Sequence, residues 1–146
     1  MLDQAHMTSL FENSTEGIIV TNGTGNIVMA NPASERMFDY QKGELIGQQI
    51  EVLIPDKVKP HHHHLREGFY NKPSNRVMGQ GRDLNGQKKD GSAMPVEVSL
   101  SHYNRDGELF VIAFIVDITQ RKEIENRMLK QKEELEKITD KIRQLN

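Results

Sequence analysis

Val28-Met29-Ala30-Asn31-Pro32-Ala33-Ser34-Glu35-Arg36-Met37-Phe38 runs the end of a strand straight into a helix. Asn31 suits the N-cap because its side-chain oxygen can accept from the orphan amides of a first helical turn, and Pro32 suits the first helical position, where its missing N–H costs nothing. Upstream, Gly17-Ile18-Ile19-Val20-Thr21 reads as a strand, Asn22-Gly23-Thr24-Gly25 as turn chemistry, and Asn26-Ile27-Val28-Met29-Ala30 as the hairpin partner. A short helix around Met7 to Phe11 precedes the hairpin.

Downstream, the pattern predicts a second short helix over Lys42 to Ile46, ended by Gly47, and a turn over Ile50 to Leu53 closed by Pro55. A longer helix follows from about Lys59 to Asn71, with Pro60 tolerable only in its first turn. Three strand-like segments come next: Arg76 to Asn85, ending at Gly86; Met94 to His102, after Lys89-Asp90-Gly91; and Leu109 to Asp117, after Asp106-Gly107. Val96, Val98 and Leu100 alternate with Glu97, Ser99 and Ser101, the pattern of a half-buried antiparallel strand. Five strands with short helices between the second and third make an α+β domain.

Composition bounds the function. The chain has 146 residues, 27% of them charged, and a formal net charge of -2, so binding to nucleic acid through a basic surface is not expected. It has no cysteine, which excludes disulfides, thiolate metal sites, iron–sulfur clusters and photochemical thiol adducts. No apolar run approaches the roughly 20 residues of a membrane span, and no signal peptide is recognisable, so a cytoplasmic location without direct membrane contact is expected. Phosphate-binding loops and catalytic triads are absent from the sequence pattern, so no enzyme activity is expected of this chain.

Residues 1–119 carry 11 basic and 15 acidic side chains, whereas 120–146 carry 8 and 6, with no glycine or proline. The first span reads as the folded domain and the second as a helical tail. In the tail Ile124, Met128, Gln131, Leu135, Ile138, Ile142 and Leu145 alternate spacings of four and three, an a/d seam with one polar position. A two-stranded coiled coil, and hence a homodimer, is the expected consequence.

The Val28–Phe38 stretch, followed by Glu44-Leu45-Ile46-Gly47, resembles the PAS sensory domain. So do Lys89-Asp90-Gly91-Ser92-Ala93-Met94-Pro95-Val96-Glu97-Val98 and Asp117-Ile118-Thr119-Gln120-Arg121-Lys122. The resemblance covers residues 7–122 in order. It implies the PAS fold, a five-stranded antiparallel sheet with short helices on one face, followed here by the coiled-coil helix. It also implies a sensory function: a pocket between sheet and helices biases the C-terminal helix, with Asp117 and Thr119 at the relay, and the helix drives an output domain outside this chain.

Within that family the pattern is most similar to FixL-type haem-binding sensors. Val58, His62, Leu65 and Phe69 form one helical stripe with His62 among apolar residues. The resemblance implies His62 as the proximal ligand of haem b and Arg82 as the distal donor to a bound diatomic gas. It also implies Val77, Val98 and Leu100 as apolar distal residues, Leu65 and Phe69 at positions often held by tyrosine, and Arg76 as the partner of a haem propionate in place of a residue that is Gly68 here. Two other readings stay open: a cofactor-free dimerisation and relay module, and a small-metabolite sensor in which Arg82 or Arg76 pairs an anionic ligand. The run His61-His62-His63-His64 offers imidazoles three apart, but no third metal ligand at suitable spacing.

Overall fold

The computed structural model describes residues 3–56, 59, 66, 76–78 and 84–145, with the backbone alone at 76–78. Helix α1 is Gln4–Asn13, strand β1 Gly17–Thr21, strand β2 Ile27–Ala30 and helix α2 Pro32–Phe38. A 3-10 turn covers Ile50–Leu53. Strands β3 (Arg76–Met78), β4 (Asn85–Gln87), β5 (Ala93–Arg105) and β6 (Glu108–Asp117) follow, and helix α3 (Thr119–Leu145) ends the described chain.

The sheet is antiparallel, in the order β2-β1-β6-β5-β3, with β4 also on β5. The long β5–β6 hairpin turns at Asp106 and Gly107, both at positive φ, and its ladder runs from Arg105↔Glu108 to Val96↔Asp117. Both β3 and β4 lie along the edge of β5 away from β6. Arg76 pairs Leu100 and Met78 pairs Val98, while Gly86 pairs Met94. These two pieces share the fifth strand position of a five-stranded fold, so the expected continuous strand over Arg76 to Asn85 is in fact interrupted. Gly86 does not end it but lies within β4. A Cβ there would stand 2.6 Å from Cε1 of buried Phe38, so only glycine lets the strand pass that ring.

The expected helix over Lys42 to Ile46 is instead a series of turns. Gly43 takes φ 78, which an α-helix cannot include, and the bonds there reach back only three residues, Glu44 N–H to Gln41 O (3.0 Å) and Ile46 N–H to Gly43 O (3.3 Å).

Asn31 organises the domain's first half. It is fully buried. Its Oδ1 accepts from Ser34 N (3.0 Å), the expected cap, and from Ile18 N (2.8 Å). Its Nδ2 donates to Phe11 O (3.1 Å) and Glu16 O (3.0 Å). One side chain thus ties α1, β1 and α2. The core packs Phe38, Leu45 and Leu53 against Ile19, Ile27, Met94, Val96 and Ile115 of the sheet.

Helix α3 has no buried residue. Ile124, Met128, Leu135, Ile138, Ile142 and Leu145 of its seam are 46–84% exposed. No helix among the described residues is long and apolar enough to cross a membrane.

Candidate functional site

Strand parity sorts the sheet into two faces. On one, Met94, Val96, Val98, Leu100 and His102 of β5 stand beside Ile115, Ala113 and Val111 of β6, which in turn stand beside Gly17, Ile19 and Thr21 of β1. This is the face that Phe38, Leu45 and Leu53 cover. Met94, Val96, Ile19 and Ile115 are at most 5% exposed beneath them. Val98 and Ala113 pack at the margin of the cluster, half-buried. Leu100 and His102 continue the row beyond it, also half-buried.

Val98 and Leu100 therefore sit side by side on the covered face. Their register partners on the edge strand are Met78 and Arg76, while Val77 is opposite Ser99. The pairing groups Arg76, rather than Val77, with Leu100. His62, Leu65, Phe69 and Arg82 lie outside the described residues, as do most of the expected Lys59 to Asn71 helix and the His61–His64 run. Lys59 and Arg66 at either end of that run have helical backbone.

Arg66 was not singled out by the sequence pattern, yet it is 8% exposed. Its Nη1 donates to Thr24 O at 2.7 Å and its Nη2 meets Glu51 Oε1 at 2.7 Å. The guanidinium lies over the β1–β2 turn at Gly25, where φ is 83 and a Cβ would overlap Nη1. The only available signal was its spacing of four from His62. His102 was missed too. Its Nδ1 is buried, with no hydrogen-bond partner among the described residues. The expected strand Met94 to His102 includes it, and the period-two pattern of Val96, Val98 and Leu100 reaches it, but an imidazole adds no aliphatic signal to that pattern.

The exit from the sheet carries the expected relay residues. Asp117 Oδ1 accepts from Thr119 N (2.9 Å) and Thr119 Oγ1 (2.5 Å). Between them Ile118 is buried, and its N–H donates to Pro95 O at 3.0 Å. Its carbonyl accepts from Lys122 N at 2.9 Å, opening α3. Arg121 Nη2 reaches Glu97 Oε2 on β5 at 2.7 Å. The start of α3 is thereby fastened to both long strands.

Surface carboxylates elsewhere are tuned by local partners. Lys89, hydrogen-bonded to Glu44, and the Gln41 amide hold the Glu44 carboxyl below its ordinary value. The Ser92 hydroxyl and amide do the same to Asp90 in the β4–β5 turn. Burial pushes the Tyr40 hydroxyl up. Among the described residues no group of three His, Asp or Glu side chains is placed to hold a metal ion.

The PAS domain family profile matches residues 15–120. Sensor protein FixL of Bradyrhizobium diazoefficiens is 26% identical over 132 residues, 90% of this chain and 26% of that protein. The oxygen sensor protein DosP of Escherichia coli is 33% identical over 110 residues, 73% of this chain and 13% of that protein. The crystal structure of the PAS domain of an HTR-like protein from Haloarcula marismortui matches with a TM-score of 0.64 at 26% identity, covering 78% of this chain and 96% of that one. The expected fold and the expected likeness to FixL-type sensors are both found.

Proposed function

Because the chain belongs to the PAS domain family, we propose that residues 1–119 are the haem-binding sensor of a cytoplasmic signalling protein and residues 120–146 the coiled-coil linker to its output domain. The observation that carries this reading is the inward course of Arg66. On one continuous helix a residue four positions away, as His62 is, would share the face of that buried side chain.

Among the described residues, Val98 and Leu100 offer half-buried aliphatic surface on the covered face, which suits a haem edge, and with no cysteine in the chain the axial ligand types left are imidazole, thioether and phenolate. In this reading His62 is the proximal ligand. Arg82 is the donor toward a diatomic gas, Val77, Val98 and Leu100 exclude water from the distal side, Leu65 and Phe69 pack the proximal side, and Arg76, in register with Leu100, pairs a propionate. Bound haem supplies the coordination site for the gas. The chain's own part is to move Arg82 when charge develops beside it and to pass the displacement along β5 and β6.

The relay runs through Glu97–Arg121 and Asp117–Thr119 into α3, whose exposed seam supports a homodimer that has two packings to choose between. Since the chain spans only 26% of FixL and 13% of DosP, an output domain covalently linked to α3 completes the proposal. Any catalytic activity would belong to that domain.

A second reading is favoured by the filled half of the covered face, where Phe38, Leu45 and Leu53 already bury Met94 and Val96: a cofactor-free dimerisation and relay module. Absorption spectra of the purified protein before and after adding haemin, with His62→Ala beside it, separate the two. A sharp Soret band that the substitution removes or shifts supports the sensor. A broad band indifferent to the substitution overturns it in favour of the relay.

A further inference from the structure

The outer face of the sheet, opposite the covered one, is apolar too. Strand parity turns Phe110, Ile112, Phe114 and Val116 of β6 to that side, with Ile18 and Val20 of β1 beside Phe114 and Ile112. Val20 is buried among its neighbours. Ile18, Phe110, Ile112 and Phe114 are half-buried, and Val116 is exposed. On β5 the residues opposite Phe114 and Ile112 are Ser99 and Ser101, and Glu97 stands opposite Val116. Neither α1 nor α3 has a buried residue, so neither helix lays an apolar side on this face.

This face runs on into the seam of α3. Arg121 lies three residues before Ile124 and seven before Met128, so it is in phase with the seam. Its Nη2 reaches Glu97 Oε2 on the outer face at 2.7 Å. The seam side of the first helical turn is thereby turned toward the outer side of the sheet. Val116 at the end of the face and Ile124 at the start of the seam are both exposed, and the Glu97–Arg121 pair sits where the two surfaces join. A continuous exposed apolar surface of this kind marks a protein contact. A two-fold axis sets such a surface against itself, so every unpaired charge on it would meet its own sign. The face from Ile18 to Val116 carries only Glu97, which Arg121 already pairs, and it is suited to self-pairing.

Building on the reading of α3 as a pairing helix, we propose that a second copy of this chain covers the outer sheet face and the α3 seam together, with the two helices parallel. Parallel helices bring both domains to the same end of the pair, where their outer faces can meet, whereas antiparallel helices hold the domains at opposite ends. Phe114 and Ile112, central on β6, then pack against the partner, and Val116 lies close to its own counterpart beside the two-fold axis. The Glu97–Arg121 pair becomes the joint of the interface. A displacement of β5 at Glu97 therefore acts on the packing of the sheets and of the helices at once.

The chain has no cysteine, so a single introduced thiol can be linked only to the same residue of another copy. The test prepares Val116→Cys on the outer face, Ile142→Cys far along the seam, and Lys42→Cys, an exposed control after α2, and treats each 146-residue protein with a short bis-maleimide. Val116→Cys and Ile142→Cys are expected to give covalent dimers and Lys42→Cys none. Sedimentation equilibrium of Phe114→Thr and Phe114→Leu runs beside it. The threonine variant is expected to self-associate about tenfold more weakly and the leucine variant to stay close to wild type. Circular dichroism checks that both are folded, and if the threonine variant is not, the cross-links alone decide. Dimers from Ile142→Cys without any from Val116→Cys, or association untouched by a folded Phe114→Thr, would overturn the outer-face contact and leave a pair held by the helices. Dimers from Val116→Cys without any from Ile142→Cys would overturn the parallel arrangement. Dimers from Lys42→Cys as abundant as the others would reduce all three to chance collision and overturn the proposal. A wild type that sediments as a monomer would remove the pairing helix itself and the proposal with it.

Discussion

Glu97 on β5 and Arg121 in the first turn of α3 meet at 2.7 Å, bridging the sheet to the helix that leaves it. Both side chains are more than a third exposed, 39% and 52%, so water and salt screen the pair and its worth to global stability is at most about 1 kcal/mol. Its effect is local. Arg121→Ala is expected to leave the urea midpoint of the domain almost unchanged while speeding amide exchange at Lys122, whose N–H closes the first helical turn on Ile118 O. A large drop in the midpoint, or unaltered exchange at Lys122, would contradict a role confined to the junction.

Asn31 behaves differently because it is fully buried and uses both ends of its amide. Asn31→Ala leaves the Ile18 amide and the carbonyls of Phe11 and Glu16 without their partner, at a cost of about 3 kcal/mol or more. Asn31→Asp keeps the cap to Ser34 but loses both donors and buries a charge, so it is expected to be no better. Denaturant unfolding of the two variants checks this. An aspartate variant as stable as wild type would mean that the two donated bonds are dispensable.

Gly86 and Phe38 form a steric pair. A Cβ at residue 86 falls 2.6 Å from the ring, and the ring is only 2% exposed in a packed core with nowhere to retreat. Gly86→Ala is expected to cost about 1–3 kcal/mol by overpacking. Phe38→Leu alone opens space and also costs stability. The double variant is expected to lose clearly less than the two single losses together, which a double-mutant cycle measures. Additive losses would show that residue 86 is constrained by something other than the ring.

The acid limb of stability has an identifiable contributor. Glu44 is held below its ordinary value of 4.5, first by the Lys89 hydrogen bond and then by the Gln41 amide. A carboxyl depressed in the folded state contributes stability that is fully present above the unfolded value and is lost as pH falls through the folded one. Glu44→Gln removes that contribution. Wild type and variant should therefore differ at neutral pH and converge as the pH drops below the ordinary carboxylate range. Thermal melts across that range read the convergence, and a gap that widens in acid would reverse the assignment.

Much of this fold was legible because local chemistry and tertiary structure agree. Asn31-Pro32 starts α2 where capping logic puts it, and the alternation of Val96, Val98 and Leu100 marks the covered face. The disagreements have specific causes. Lys42 to Ile46 has helical composition, but Gly43 adopts a left-handed conformation that composition does not announce. The edge strand reads as one segment because hydrophobicity does not record that its partner β5 offers two separate stretches, Val98 to Leu100 and Ala93 to Pro95. Arg66 and His102 escaped notice because buried polar residues carry no periodic signal of their own. Each is visible only once a neighbouring residue fixes the face it occupies. The covered face was therefore readable in its aliphatic members and silent in the polar ones that give it chemistry.

Helix α3 offers the cleanest test of whether the domain pairs with another copy of itself. Its seam is apolar except for Gln131, and none of its residues is buried against the domain. A polar residue at one seam position lowers the stability of a coiled coil while narrowing its choice of register. Gln131→Leu is therefore expected to tighten self-association, by about tenfold, and Ile138→Lys to abolish it by placing a charge where two helices meet. Neither change touches the core around Phe38 and Val96, so the unfolding transition of the domain should stay within about 0.5 kcal/mol of wild type when measured at concentrations where the protein is monomeric. Sedimentation equilibrium reads the association and denaturant unfolding reads the domain. Self-association that survives Ile138→Lys would put the contact between copies on the sheet rather than on the helix, and self-association absent from the wild type would overturn the coiled-coil reading of the seam.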